Sequence, residues 1–169
     1  MHAVSKQRGV TLIEVLITLF VLAIGLLGMA GLQATALRAT ADSGNVGSAT
    51  RLAYDMVDRV RLEVDPTIVN TFVTASASNQ TASNSSACYG TSGCTGNARA
   101  TAEVAEWQRL LAAGLPAGQG NVCRGTVAAG CTGTATDPVI VLITWQARDM
   151  QNQAANNGVI TQRIVAVVG

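Results

Sequence analysis

Residues 8–16 read Arg8-Gly9-Val10-Thr11-Leu12-Ile13-Glu14-Val15-Leu16, a basic, glycine-ended leader running straight into an apolar stretch that carries one carboxylate near its start. Between residues 10 and 32 no other ionisable side chain occurs. A charge in such a segment costs about 2.5–3.5 kcal/mol at the centre of a bilayer and less near the interface, so Glu14 marks a function and calls for a partner. At about 1.5 Å per helical residue the stretch reaches roughly 35 Å, enough to cross a hydrocarbon core of about 30 Å. Lys6 and Arg8 precede it with no acid in the first nine residues. That asymmetry keeps the leader cytoplasmic and sends the C-terminal bulk across the membrane.

Lys6-Gln7-Arg8-Gly9, followed by Val10-Thr11-Leu12-Ile13-Glu14-Val15-Leu16, resembles the class III signal of type IV prepilins and pseudopilins. Further along, Ala23-Ile24-Gly25-Leu26-Leu27-Gly28-Met29-Ala30-Gly31-Leu32-Gln33 is similar to the minor pilins of the PilV type. The resemblance covers about residues 8 to 62. It implies cleavage between Gly9 and Val10 by prepilin peptidase, a membrane aspartyl protease, and N-methylation of the new terminus on Val10, where the family usually has phenylalanine. It also implies an α+β pilin-like fold, in which a long N-terminal helix packs on a small antiparallel β-sheet head with disulfides. On this reading residues 1–9 are a leader that is removed, 10–64 the long helix with a transmembrane half at 10–32, and 65–169 the head. The implied partners are prepilin peptidase, other minor and major pilins, the inner-membrane assembly platform and the inner membrane itself. The chain would sit in the inner membrane as a single pass with its head in the periplasm, then pass into a cell-surface pilus of the kind associated with twitching motility and cell adhesion.

Cleavage gives Glu14 a physical role, because the new amine has an ordinary pKa of about 7.7–8.0 and is largely cationic at neutral pH. In a filament the amine of an incoming Val10 would meet Glu14 of a neighbour, and pairing in low dielectric would set axial register. The plainer reading is that Glu14 sits near the positive start of the helix or snorkels to water. A rival for the whole segment is ordinary signal peptidase acting at Ala34-Thr35-Ala36, which would release a soluble domain. Against it, the apolar run exceeds the usual 7–15 residue core of a signal peptide, carries Glu14 and continues into an amphipathic helix.

Gly25, Gly28 and Gly31 fall at helical spacing but never four apart, so the G-x-x-x-G pairing pattern is absent. Each costs about 1 kcal/mol relative to alanine in a helix, which marks the stretch as a place to kink or to pack closely against other helices. Beyond Gln33 the pattern becomes amphipathic: Ala49, Leu52, Ala53, Met56, Val57, Val60 and Val64 recur at three- and four-residue steps. Arg51, Asp55, Arg59 and Glu63 form an alternating-charge ladder on the other face. Pro66 ends the run, giving a helix of roughly 80 Å.

The head is long enough for one small domain. Residues 70–97 are rich in Ser, Thr, Asn, Ala and Gly, which predicts a long surface loop; the sequon matches at Asn79 and Asn84 are close to chance in such a stretch. Residues 100–113 predict a short helix with Val104, Trp107, Leu110 and Leu111 toward the core, Trp107 as its anchor. Residues 121–128, 139–148 and 158–168 predict strands, the second alternating Val139, Val141, Ile143 and Trp145 on one face. Asn156-Asn157-Gly158 supplies a turn between the last two, so an antiparallel meander packed on the long helix is expected.

Cys88, Cys94, Cys123 and Cys131 all lie in the translocated part, where an oxidising compartment would join them. Four cysteines allow three pairings; short spacing favours Cys88 with Cys94 and Cys123 with Cys131. A zinc site is disfavoured by the lack of C-x-x-C spacing or a nearby histidine, and no metal or other cofactor is expected. The single histidine, His2, falls in the leader, so the mature chain has no imidazole base. Asp55 with Asp58, and Glu103 with Glu106, read as charged helix faces, and no nucleotide-binding motif occurs. The chain is therefore expected to have no catalytic residues and not to be an enzyme. Removing Lys6 and Arg8 takes the 11 basic and 10 acidic residues to 9 and 10, a net charge near −1, and no basic stripe with interleaved aromatics marks a nucleic-acid surface. These features together predict a structural minor pilin that helps initiate assembly or cap a type IV pilus. The alternative is a minor pseudopilin of a type II secretion system.

Overall fold

The computed structural model describes residues 11–77, 88, 90, 93–148 and 159–169. In chain order it contains α1 (Leu12–Arg61), α2 (Pro66–Ala77), α3 (Gly96–Gly114), β1 (Gln119–Thr126), β2 (Gly130–Cys131), β3 (Val139–Arg148) and β4 (Val159–Val167). The chain divides into two compact units, residues 1–42 and 43–169, and α1 contributes to both. α1 runs unbroken through Gly25, Gly28 and Gly31, and a methyl group built on any of the three would meet nothing within 4 Å. No contact among the described residues therefore requires a glycine there.

The second unit is built on the amphipathic half of α1. Ala49, Leu52, Ala53, Met56, Val57 and Val60 are buried, at the spacing the sequence indicates. Val64 departs from it: it is 94% exposed, because α1 ends at Arg61 and the chain leaves helical geometry before it. The cause is the next helix. Asp65 precedes Pro66, the first residue of α2, and its Oδ1 accepts hydrogen bonds from the Thr67 N–H (2.8 Å) and hydroxyl (2.6 Å). An aspartate at the N-cap and a proline at the first helical position form a helix start, so Pro66 opens α2 as well as closing α1.

α2 corrects the expectation that residues 70–97 form one long loop: residues 66–77 are helical, with Phe72 fully buried and Ile68, Val69 and Val73 packed beside it. α3 begins at Gly96, four residues before the start read from the sequence. The sequons at Asn79 and Asn84 and the turn at residues 156–158 lie outside the described residues.

The sheet is antiparallel with strand order β2-β1-β3-β4. β3 occupies residues 139–148 as anticipated, while β1 starts two residues earlier than residues 121–128 suggest. The arrangement is not a simple meander: the short β2 turns back on the far side of β1, and the chain then recrosses to place β3 on the near side. One sheet face carries Val122, Val141, Ile143 and Trp145 into a core shared with α1, Phe72 of α2, and Ala100, Val104, Trp107 and Leu111 of α3. Trp107 is the anchor: its ring is fully buried and its Nε1–H donates to the Leu52 carbonyl of α1 at 2.9 Å. The ring also dictates Gly120, since a Cβ there would run into Trp107 and Leu111.

Candidate functional site

In the first unit, the long apolar side chains of α1 have no cover among the described residues. Leu12 is 80% exposed, Leu27 75% and Leu32 75%, and Phe20, Leu22 and Ile24 are likewise exposed. This helix is long and apolar enough to cross a membrane, with a mean hydropathy of 2.6 over its most apolar window. An uncovered apolar helix in water is unfavourable by about 25 cal/mol for each Å² of apolar surface, and such a surface is consistent with membrane anchoring. Its few hydroxyls are already satisfied within the helix: Thr18 donates to the Val15 carbonyl (2.8 Å), Thr35 to Gly31 (3.1 Å) and Thr40 to Ala36 (2.9 Å). Back-bonding of this kind lets threonine tolerate an apolar surround.

Glu14 lies in the first turn of α1, which opens with the Thr11 carbonyl accepting from the N–H of Glu14 (3.1 Å) and of Val15 (3.4 Å). The carboxylate is exposed and makes no ion pair among the described residues. The helix start attracts negative charge, typically by 0.3–1 kcal/mol at an exposed site, which leaves capacity for a cationic partner from another molecule. Gly9 and Val10, together with Lys6 and Arg8, lie outside the described residues.

The second unit carries a buried polar seam that joins α2 and α3 to β1. The Ser76 hydroxyl lies within hydrogen-bond reach of both the Val122 carbonyl (2.6 Å) and the Val73 carbonyl (3.0 Å), and it accepts from the Val122 N–H (2.9 Å). Gln108 Nε2 donates to the carbonyls of Ser76 (3.1 Å) and Gly120 (3.0 Å). The Arg124 carbonyl accepts from the N–H groups of Thr132 (3.0 Å) and Gly133 (3.1 Å). Gly120, Val122 and Arg124 point their main-chain groups away from β3, so side chains and a loop close this edge of the sheet. Sequence reasoning missed Ser76 because it lay in the stretch read as a loop. The signal was Ile68, Val69, Phe72 and Val73 at helical spacing behind Asp65-Pro66.

Cys88 is joined to Cys94 and Cys123 to Cys131, the short-spaced pairing, with Cα separations of 4.7 and 5.6 Å. The second bond ties β1 to β2. Of the charge ladder, Asp55 and Arg59 pair at 3.0 Å, but Glu63 has left the helix and instead pairs with Arg99 of α3, which also reaches Glu103 at 3.6 Å. The two Thr67 bonds, the hydroxyl first and the N–H second, hold Asp65 below the ordinary carboxylate pKa. Among the described residues no three His, Cys, Asp or Glu side chains gather into a metal-binding group.

Residues 4–30 match the family model described as the prokaryotic N-terminal methylation motif, and residues 31–105 match the one described as type IV pilin Tt1218. The two matches adjoin and take in the whole of the exposed apolar helix, α2 and the start of α3. No curated protein and no solved structure matches the chain.

Proposed function

Since the chain belongs to the type IV pilins, we propose that it is a structural minor pilin of the PilV type, one that helps initiate a type IV pilus or caps it. In this role prepilin peptidase cuts between Gly9 and Val10, Val10 is N-methylated, and the head waits on the periplasmic face of the inner membrane. Assembly then carries the subunit into the fibre alongside other minor and major pilins. The observation that supports this most is a helix whose long apolar side chains are exposed up to Leu37 and which bears one acid, Glu14, in its first turn. A surface of that kind is covered by lipid before assembly and by neighbouring helices after it.

Within the fibre Glu14 receives the Val10 amine of an adjacent subunit, so neutralisation of the carboxylate is completed by assembly. Pairing two charges within a packed helical bundle fixes register, because removing either partner leaves the other charge without compensation, a loss of about 3–5 kcal/mol at a buried site. The head contributes no chemistry in this role. Its disulfides hold together a small domain with long connections.

Mass spectrometry of the N-terminal peptide, from membranes with and without prepilin peptidase, tests the proposal. A peptide starting at methylated Val10 and lost without the peptidase is the expected result; one starting at Leu37 would assign the chain to ordinary secretion instead. Recovery in secreted-protein assemblies rather than in surface fibres would favour the pseudopilin of a type II secretion system.

A further inference from the structure

The exposed half of α1 carries one base. Between residues 9 and 50 the only lysine or arginine is Arg38, and between Glu14 and Arg38 no side chain ionises. Its position coincides with a change of surface: the exposed long apolar side chains run as far as Leu37, and the next after it is Val46. Two polar side chains lie just inside that limit. Thr35 is satisfied by the Gly31 carbonyl at 3.1 Å, and Gln33 is neutral and about 8 Å from Arg38 along the helix axis. Arg38 itself is exposed and makes no hydrogen bond or ion pair among the described residues, not even with Asp42 one turn further on.

Glu14 and Arg38 belong to one unbroken helix and bracket the apolar belt. At about 1.5 Å per residue their Cα atoms are roughly 36 Å apart along the axis. A bilayer has a hydrocarbon core of about 30 Å, and about 40–45 Å with its headgroup layers. With the belt centred, each charge stands about 3 Å outside the hydrocarbon, within the headgroups. From this spacing we infer that Arg38 binds the phosphodiester of a phospholipid, at the end of the span remote from Glu14, and so fixes the depth at which α1 sits.

The chemistry of the side chain selects this ligand. A guanidinium stays charged, offers five N–H donors in a planar fork that matches two phosphate oxygens, and is weakly hydrated, so it exchanges water for phosphate readily. Its stem of three methylenes lies along the apolar belt while the head reaches the phosphate layer. Asp42, the next ionisable residue, has the wrong sign for that layer and marks how far the helix could sink without Arg38. The inference rests on α1 spanning a bilayer, as proposed above, and adds what holds it at one level before any other subunit is met.

The test places the full chain in phosphatidylcholine vesicles with a nitroxide on Leu32→Cys, whose depth is read by electron paramagnetic resonance with oxygen and a water-soluble relaxant. The four native cysteines are joined in two disulfides, so the introduced thiol alone takes the label. Arg38→Gln extends the uncharged run to Asp42, four residues on, and should let the label move toward the bilayer centre by up to about 6 Å. Arg38→Lys should keep the original depth, and thermal unfolding of the head should be the same for all three chains. In vesicles of a galactolipid, which has no phosphate, the unsubstituted Arg38 chain should sit as deep as Arg38→Gln does. An unmoved label in Arg38→Gln, or an Arg38 chain that keeps its depth in galactolipid, would overturn the inference. A shift to the Arg38→Gln depth on adding inorganic phosphate would overturn lipid as the source of the phosphate. A dependence of the shift on protein density in the membrane would overturn it in favour of a carboxylate from another subunit. A nitroxide on Leu22→Cys separates the two failures: if the water-soluble relaxant reaches it, α1 does not insert and the membrane reading falls together with the inference.

Discussion

The two halves of α1 belong to one unbroken helix and have opposite surroundings. From Leu12 to Leu37 the long apolar side chains are exposed, whereas between Ala49 and Val60 six apolar residues are buried against the head. The contrast shows that helix periodicity is a consequence of what covers the helix. Where the head supplies one covering face, the sequence is amphipathic, with Asp55 and Arg59 on the water side. Where cover must come from all around, the apolar residues go all around and charge is reduced to Glu14.

The contrast is broken most strongly at Trp107, which joins α3 to α1 through its ring and its bond to Leu52. Trp107→Ala should lower the stability of the head by about 3–5 kcal/mol, read as a fall in the denaturation midpoint followed by near-ultraviolet circular dichroism. Next in size, Gly120→Ala pushes a methyl group into Trp107 and Leu111, with an expected loss of about 1–3 kcal/mol in the same assay. Ser76→Ala leaves both main-chain groups of Val122 without their partner; about 1–3 kcal/mol is expected, together with faster exchange of the Val122 amide.

A smaller effect comes from pH. Because the folded state holds the Asp65 pKa below its ordinary value, the cap's contribution is fully present above the unfolded carboxylate pKa, about 3.9, and is lost as pH falls through the lower folded value. Comparing wild type with Asp65→Ala across pH 2–6 should show a stability difference that shrinks toward the acid end. The smallest effect sharpens the contrast from the other side: Leu22→Ala, in the exposed half, should leave the head's unfolding within about 0.5 kcal/mol of wild type.

The long helix was legible because it is strongly patterned: one acid among apolar residues, then a regular change to one-sided burial from Ala49 to Val60. β3 was legible from strict alternation. α2 is hidden by its polar threonines and by Pro66, a helix stop that also occupies the first position of a new helix. The β2 excursion, two residues long, has too little sequence to carry a period. Glu63 shows why a ladder drawn on an ideal helix can mislead: two residues past the end of α1, it turns to Arg99 instead of Arg59. Ser76 is visible only in three dimensions, since its partner is a strand residue 46 positions away.

The most direct measurement is the amount of this chain in sheared surface fibres, against the amount processed in the membrane, for wild type and Glu14→Gln. A structural minor pilin held by a pairing at Glu14 should appear in the fibres at low stoichiometry, and Glu14→Gln should be processed normally yet be largely lost from them. Equal incorporation of Glu14→Gln, or a processed wild-type chain that never leaves the membrane fraction, would contradict that role.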